Sequence, residues 1–275
     1  MSAEPYSAKM GVVLLLDALG AKNFTTESAK IFIKARDSLL EDLKPDLQDW
    51  HNRISSYAGQ LQLLGSNNEA TSSFGEPKFV TFGDTIVLTW EIPDKYRVHI
   101  SGVGIFLTQL FVKALGIGLF FRGAISYGQY IQDESTILGP AVADAAAWYE
   151  KADWMGIIAA PMCGMILSRF ATDNEPSRNL VNAAFIEYNI PLKANSKHKM
   201  WALNWPKAID GLFAYKAPFK DKTDLPLSAP ISYLLSRFEG LIVTPEIESK
   251  YSNTVEFLNW CLEKDPYPNP ADNPS

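Results

Sequence analysis

Two aspartates stand where apolar strands end or turn. Asp17 follows the run Val12–Leu16, and Asp84 follows Gly83 in the middle of a predicted hairpin with strands at 78–82 and 85–91. If the strands pair, the two carboxylates meet at one edge of the sheet. Two hard oxygen ligands beside a loop of free backbone N–H groups suit Mg²⁺ that carries a triphosphate. Such a site indicates phosphoryl or nucleotidyl chemistry.

Composition narrows the class of protein and of partner. The 275 residues are 47% hydrophobic and 20% charged, which is ordinary for a globular chain. A net charge of −6 argues against a nucleic-acid polymer as partner, though not against a mononucleotide bound through a metal. Two cysteines and three histidines form neither a disulfide framework nor a zinc pattern. We therefore expect a reduced, cytoplasmic setting.

Neither end of the chain nor its most apolar stretch predicts a membrane partner. Residues 1–10 lack the basic start and apolar run of a signal peptide. Residues 100–121 are strongly apolar, but polar residues and a Gly-Ile-Gly break interrupt them. A buried helix followed by a strand fits this stretch better than a membrane span.

The elements that must position the aspartates follow from hydrophobic periodicity. A strand is predicted at 10–17, a helix at 26–50 continuing as helix or loop to 65, and the hairpin after it. Further helices are predicted at 96–115, 140–152, 161–171, 228–240 and 245–263, and further strands within 117–131 and at 157–160, 184–190 and 200–204. This order predicts an α+β sandwich with a polar, frayed tail from about residue 266.

Four segments, taken in order over residues 10–170, resemble the class III nucleotidyl cyclases. These segments are Asp17-Ala18-Leu19-Gly20-Ala21, Phe82-Gly83-Asp84, Arg122-Gly123-Ala124-Ile125-Ser126-Tyr127-Gly128 and Gly139-Pro140-Ala141-Val142. The resemblance implies a ferredoxin-like core, here assigned to residues 1–180. Residues 181–275 would then form a C-terminal extension packed on the same domain.

The sequence departs from that family in the half that reads the base. Adenylate cyclases carry a base-reading lysine where this chain has Val80, and the companion position is Thr136. The family's helix asparagine and arginine fall on Ala143 and Ala147. We therefore do not expect a purine-binding pocket of this kind. Tyr57 is a further candidate to contact the base, by stacking on it.

This combination is similar to the pyrimidine cyclases of the Pycsar antiphage system, with Phe121-Arg122-Gly123 and Leu138-Gly139-Pro140-Ala141 as the matching segments. The resemblance implies conversion of UTP, or alternatively CTP, to the 3′,5′-cyclic monophosphate and pyrophosphate. It also implies a homodimer and a separate effector protein that senses the cyclic nucleotide after phage infection.

The same resemblance implies a role for each residue of the site. Asp17, Asp84 and the Ala18 carbonyl would hold two Mn²⁺ or Mg²⁺ ions. The N–H groups of four consecutive residues would cradle the phosphates, namely Leu19, Gly20, Ala21 and Lys22. Arg122 ranks before Lys22 and Lys151 as the cation that replaces the absent helix arginine, although a strand-end arginine is also often a structural ion-pair partner.

Two other hypotheses remain open at the level of sequence. One is an adenylate or guanylate cyclase with an altered pocket, which Val80 argues against. The other is a degenerate cyclase-like module that binds a nucleotide without turnover, which Ala143 and Ala147 favour and the two retained aspartates oppose.

Overall fold

The N-terminal half of the chain forms four antiparallel strands and two long helices. In this computed structural model, which describes residues 7–19, 25–63, 75–133, 136–209 and 245–264, the elements are β1 (Lys9–Ala18), α1 (Thr26–Leu63), β2 (Lys78–Phe82), β3 (Thr85–Glu91), α2 (Ile100–Gly116) and β4 (Phe121–Gln132). The strands lie in the order β2-β3-β1-β4. Order and pairing are those of the ferredoxin-like split β-α-β arrangement.

The second half extends the same sheet. Its elements are β5 (Ile137–Leu138), α3 (Pro140–Trp148), β6 (Gly156–Ala159), α4 (Pro161–Thr172), α5 (Glu175–Ala184), β7 (Phe185–Leu192), β8 (Ser196–Leu203) and α6 (Pro245–Lys264). β6 runs parallel to β4, β8 and β7 follow as an antiparallel pair, and β5 forms a short hairpin with β4. The predicted α+β class is confirmed.

The two faces of the sheet are covered unequally, because side chains alternate along each strand. Val12, Leu14 and Leu16 of β1 are fully buried in the main core, which also contains apolar residues of α1 and α2. On the other face a smaller cluster joins Val13 to Tyr130, Ala141 and Ala145 where α3 packs. This second face is called the site face below, because Asp17 lies on it.

At its β2–β3 end, no described helix covers the site face. The register places Val80 opposite Val87, and Val87 opposite Leu15, so these three side chains share the site face. Phe82 is 81% exposed and Val80 is 37% exposed. This apolar strip of Leu15, Val80, Phe82 and Val87 is called the open strip.

Helix α1 is one continuous helix. The sequence predicts a helix at 26–50 that continues as helix or loop to residue 65. Its start is fixed by a reciprocal cap: the Thr25 N–H donates to Ser28 Oγ at 2.8 Å, and the Ser28 N–H donates to Thr25 Oγ1 at 3.2 Å. The helix therefore begins directly after the segment that follows Asp17.

Several predicted boundaries move, and two elements were missed. α3 ends at Trp148 rather than at residue 152, and neither α5 nor β5 is predicted from the sequence. The predicted loop at 65–73, helix at 228–240 and tail from 266 lie outside the described residues. The division at residue 180 stays a prediction, and that residue lies inside α5.

Helix α6 docks beside β6 through aromatic packing. Phe257 contacts Trp154 edge-on with ring centroids 4.6 Å apart, and the Met155 N–H donates to Thr254 Oγ1 at 2.9 Å. Both residues of α6 are fully buried.

One stretch of the described residues, Asp94–Gly116, is long and apolar enough to cross a membrane, but 67% of its apolar 18-residue window is buried inside the protein. It contains α2, the buried helix predicted from the sequence, and the strand β4 follows it.

Candidate functional site

The structure brings Asp17 and Asp84 together at one end of the sheet. Asp17 lies on β1 opposite Thr85 of β3 and Arg122 of β4, and Asp84 occupies the turn between β2 and β3. The Ala18 N–H donates to the Asp84 carbonyl at 3.2 Å. This backbone hydrogen bond joins the residue after Asp17 to Asp84 itself. The two aspartates are called the carboxylate pair below.

The turn that carries Asp84 depends on a glycine and an arginine. Gly83 has φ of +60°, a left-handed conformation that costs glycine little and other residues more. Its carbonyl accepts a hydrogen bond from Arg36 Nη1 of α1 at 2.8 Å. Helix α1 therefore contacts the turn directly.

Arg122 forms a buried ion pair with Asp17. Its Nε and Nη2 both donate to Asp17 Oδ2, at 2.9 and 2.8 Å. The two side chains are only 6% and 13% exposed. Arg122 also reaches Glu150, donating from Nη1 to its carbonyl at 3.3 Å and lying 3.8 Å from its carboxylate.

The surroundings of Asp17 raise the pKa of its carboxyl group. Burial is the largest cause of the rise, because it disfavours the charged form. The hydrogen bond and charge of Arg122 oppose the rise, while the charges of Asp84 and Glu150 add to it. The site carries an excess of negative charge that a bound cation would relieve.

Tyr149 extends this arrangement to the edge of the site. Its hydroxyl donates to Glu150 Oε1 at 3.2 Å. Burial raises the pKa of the phenol, and the charge of Glu150 raises it further. Tyr149 therefore stays a neutral hydrogen-bond donor near neutral pH.

The carboxylate pair fits a hard divalent cation that brings further oxygens with it. Among the residues that the structure describes, no group of three or more His, Cys, Asp or Glu side chains is placed to hold a metal ion. Mg²⁺, however, is commonly bound by one or two carboxylates together with the phosphates of a substrate. Asp17 and Asp84 suit that mode, with the Ala18 carbonyl beside them as a predicted third oxygen.

The predicted phosphate loop is described only at its first residue. The Leu19 N–H donates to the Phe120 carbonyl at 2.8 Å, so the sheet already uses this donor. Gly20, Ala21 and Lys22 lie outside the described residues.

The three candidate base-reading residues are not gathered at one place. Val80 lies on the open strip, at the same end of the sheet as the carboxylate pair. Thr136 lies beyond the opposite end of β4, where its N–H donates to Asp133 Oδ1 at 2.7 Å. The ten steps from Arg122 to Gln132 span roughly 33 Å. Tyr57 lies on α1, and its side chain is outside the described part of the chain.

Helix α3 presents small residues to solvent and to the sheet. Ala141 and Ala145 are fully buried against the site face, whereas Ala143 and Ala147, the positions of the family's asparagine and arginine, are exposed. Asp144 of the same helix accepts hydrogen bonds from Ser126 Oγ at 2.7 Å and from the Met162 N–H at 3.1 Å. It therefore caps α4 from the neighbouring helix.

Reasoning from the sequence missed Tyr149 and two charged residues of the site. Glu150 follows the end of α3 and Arg36 lies within α1. Neither stands in a motif or beside an aspartate of the pair in sequence, and both reach the site through contacts across 28 and 47 residues.

Comparison with known proteins returns similarity of structure only. No protein-family model matches the sequence, and no curated protein does. The chain is similar to the catalytic core of a rhodopsin-guanylyl cyclase with converted specificity, in complex with ATPαS, at 10% identity and a TM-score of 0.41; the match covers 72% of this chain and 97% of that one. It is also similar to the guanylyl cyclase Cya2, at 9% identity and a TM-score of 0.34, covering 72% of this chain and 93% of that one. Similarity at this level does not assign the chain to a family.

Proposed function

We propose that this protein is a metal-dependent nucleotidyl cyclase that converts UTP to 3′,5′-cyclic UMP and pyrophosphate. The observation that carries the proposal is the carboxylate pair, which the Ala18-to-Asp84 hydrogen bond holds at one end of a ferredoxin-like sheet. The sequence resemblance to class III nucleotidyl cyclases supports the same reading of both aspartates.

Each residue of the site has a task in this reaction. Asp17, Asp84 and the Ala18 carbonyl would hold two Mn²⁺ or Mg²⁺ ions. When bound, these ions supply the Lewis acidity that activates the ribose 3′-hydroxyl and balances the charge of the triphosphate. Arg122 lies beside Asp17 and would provide a guanidinium for a phosphate oxygen. In the predicted phosphate loop, the N–H groups of Gly20, Ala21 and Lys22 would contact the β- and γ-phosphates, whereas that of Leu19 already donates to the Phe120 carbonyl.

The choice of a pyrimidine rests on the residues at the base-reading positions. Val80 is apolar and offers no hydrogen bond to a purine ring, unlike the lysine of adenylate cyclases. UTP is preferred to CTP on sequence resemblance, and cyclic CMP is the alternative product. One exocyclic group distinguishes the two bases, so a single hydrogen-bond partner decides between them.

A homodimer would complete the site. Thr136 and the carboxylate pair lie at opposite ends of β4, so both would contact one nucleotide only if a second copy supplied one of them. The open strip, with its exposed Phe82 ring, and the small exposed alanines of α3 offer that copy an apolar surface. The product would act on a separate effector protein in antiphage defence, and a cytoplasmic location fits that role.

The test is a turnover assay with purified protein. Each of ATP, GTP, CTP and UTP is incubated with the protein and Mn²⁺, and the products are separated by mass. Asp84→Ala is assayed alongside the matched control Asp94→Ala. Asp94 is an exposed aspartate whose carboxylate lies 3.4 Å from Arg97 Nη2. We expect cyclic UMP from the unmodified protein and from the control, and none from Asp84→Ala.

A second candidate function is nucleotide binding without turnover. The ion pair that holds Arg122 on Asp17 and the alanines at positions 143 and 147 favour it. Nucleotide binding that depends on Asp84, with no cyclic product from any of the four nucleotides, would support this candidate. Cyclic AMP or cyclic GMP as the main product would overturn the pyrimidine assignment.

A further inference from the structure

We infer that Arg36 is a positioning residue that orients the Asp84 carboxylate toward Asp17. The inference rests on the proposed function, because it gives Arg36 a task in the site that the carboxylate pair would form. It concerns a residue of α1 that is separated from the turn by 47 positions in the chain.

The peptide groups on both sides of the Asp84 Cα are held by hydrogen bonds. The carbonyl of Gly83 belongs to the preceding peptide group and accepts from Arg36 Nη1 at 2.8 Å. The carbonyl of Asp84 belongs to the following peptide group and accepts from the Ala18 N–H at 3.2 Å. Both peptide planes are therefore held from outside the hairpin. With both planes held, the direction of the Cα–Cβ bond of Asp84 is fixed relative to β1.

Arg36 is itself held in place for this contact. Its side chain is 11% exposed, its Nε and Nη2 pair with Asp37 Oδ1 at 2.9 and 2.8 Å, and its guanidinium lies 5.9 Å from the centre of the Phe32 ring. A planar guanidinium with two further anchors keeps its remaining donor directed at the Gly83 carbonyl.

The contact with Arg36 adds to the restraint that the Ala18 hydrogen bond gives this turn. Among the described residues, nothing lies within 4 Å of the position that a Cβ on Gly83 would occupy, and Phe82 beside it is 81% exposed. A glycine in an open turn has wide conformational freedom, so the contact with Arg36 removes freedom that packing does not.

The experiment compares Arg36→Met with two controls. Methionine keeps an apolar stem against Phe32 and removes every donor, whereas Arg36→Lys keeps one donor. Arg97→Met removes an arginine whose guanidinium lies 3.4 Å from Asp94, away from the turn. Backbone ¹⁵N relaxation of the metal-free protein is measured first. In Arg36→Met we expect the order parameters of Asp84 and Thr85 to fall below about 0.6, with both controls unchanged.

The second readout is Mn²⁺ binding, which is measured from the electron paramagnetic resonance signal of the free ion. Loss of one charge-assisted hydrogen bond to the turn should weaken Mn²⁺ binding about tenfold in Arg36→Met and less in Arg36→Lys. Unchanged order parameters overturn the inference. Unchanged Mn²⁺ affinity in Arg36→Met also overturns the inference, provided that Asp84→Ala no longer binds the ion. If Asp84→Ala itself leaves Mn²⁺ binding intact, the proposed metal site fails, and relaxation alone decides the role of Arg36.

Discussion

The ion pair between Asp17 and Arg122 is the strongest electrostatic contact at the site. It is nearly buried, and both of its hydrogen bonds end on one carboxylate oxygen. Such a pair is weak evidence for stability by itself, yet removing one partner is costly because the other charge is left buried. Arg122 therefore serves the fold as an ion-pair partner, and under the proposed function it would also contact a phosphate.

We predict that Arg122→Gln lowers the free energy of unfolding by about 3 kcal/mol, because Asp17 loses its counter-charge in a buried place. The double variant Asp17→Asn, Arg122→Gln should be less destabilised than Arg122→Gln alone, since no unpaired charge remains. Urea unfolding of both single variants and the double variant gives the coupling between the two residues. Simple additivity of the two single changes would contradict the prediction.

At the scale of residues, the sequence revealed the aspartates but not what surrounds them. Asp17 and Asp84 stand at strand and turn boundaries that hydrophobic patterning marks well. Arg36 and Glu150 reach the site only through the packing of α1 and the end of α3, which no local pattern encodes. The sequence also allows Arg122 to be a structural ion-pair partner, but it does not indicate that Asp17 is the other member of the pair.

The Asp144 side chain links helices α3 and α4. Asp144 accepts from Ser126 of β4 and from the Met162 N–H in the first turn of α4. An N–H in the first turn has no partner within its own helix, so the carboxylate satisfies a donor that would otherwise go unpaired. The link also fixes α3 against the site face.

Asp144→Ala should destabilise the protein by about 1–2 kcal/mol, because α4 loses its cap and the buried Ser126 hydroxyl loses its acceptor. Asp144→Asn, which keeps one acceptor oxygen, should lose less. Thermal unfolding of Asp144→Ala, Asp144→Asn and Ser126→Ala compares the stabilities of the three variants. An Asp144→Ala variant as stable as the unmodified protein would show that α4 starts without this cap.

Two helical glycines should respond to the same substitution with opposite signs. A Cβ on Gly104 of α2 would lie 2.4 Å from Phe185 and 2.8 Å from Ala184, whereas one on Gly164 of α4 has no neighbour nearer than 3.8 Å. We expect Gly104→Ala to cost about 1–3 kcal/mol by overpacking. Gly164→Ala should gain about 0.5–1 kcal/mol by restricting the unfolded chain. Denaturant midpoints of the pair decide this, and two changes of equal sign would contradict the packing of α2 on α5.

At the scale of elements, prediction succeeded where apolar periodicity was strong. The strands β1, β2 and β3 and the helix α4 appear within a residue or two of their predicted bounds. Helix α5 was missed because most of its residues are polar and it joins α4 after a short break, although Asn174 caps it. The two-residue strand β5 exists only through pairing with β4.

At the scale of the whole molecule, the sheet formed by the described residues has two different ends. The carboxylate pair lies where β1 ends and β4 begins, and Thr136 lies beyond the far end of β4. A single copy cannot bring these ends together, which is why the proposed function includes a second copy on the open strip.

Phe82→Lys should therefore weaken self-association about tenfold or more, because a large exposed ring that would be buried between copies is replaced by a charge. Turnover should fall with the loss of dimer, while the free energy of unfolding stays close to that of the unmodified protein. Ile31→Lys is the matched control: Ile31 is 63% exposed on α1, the helix that packs on the opposite face of the sheet. Sedimentation velocity over a concentration series measures both variants. Equal weakening by the two changes would remove the open strip as the dimer surface.

The position of β4 has a consequence for the order in which the chain is made. β4 completes the four-stranded antiparallel half at residue 132, yet its other edge pairs with β6, which begins at Gly156. We expect the first half to assemble before the rest of the chain is synthesised, at about 5–20 residues per second. During those seconds, residues 122–125 of β4 form an unpaired strand edge, the kind of surface that pairs with other chains. β4, which is a central strand of the finished sheet, is thus an exposed edge strand while the chain is still on the ribosome.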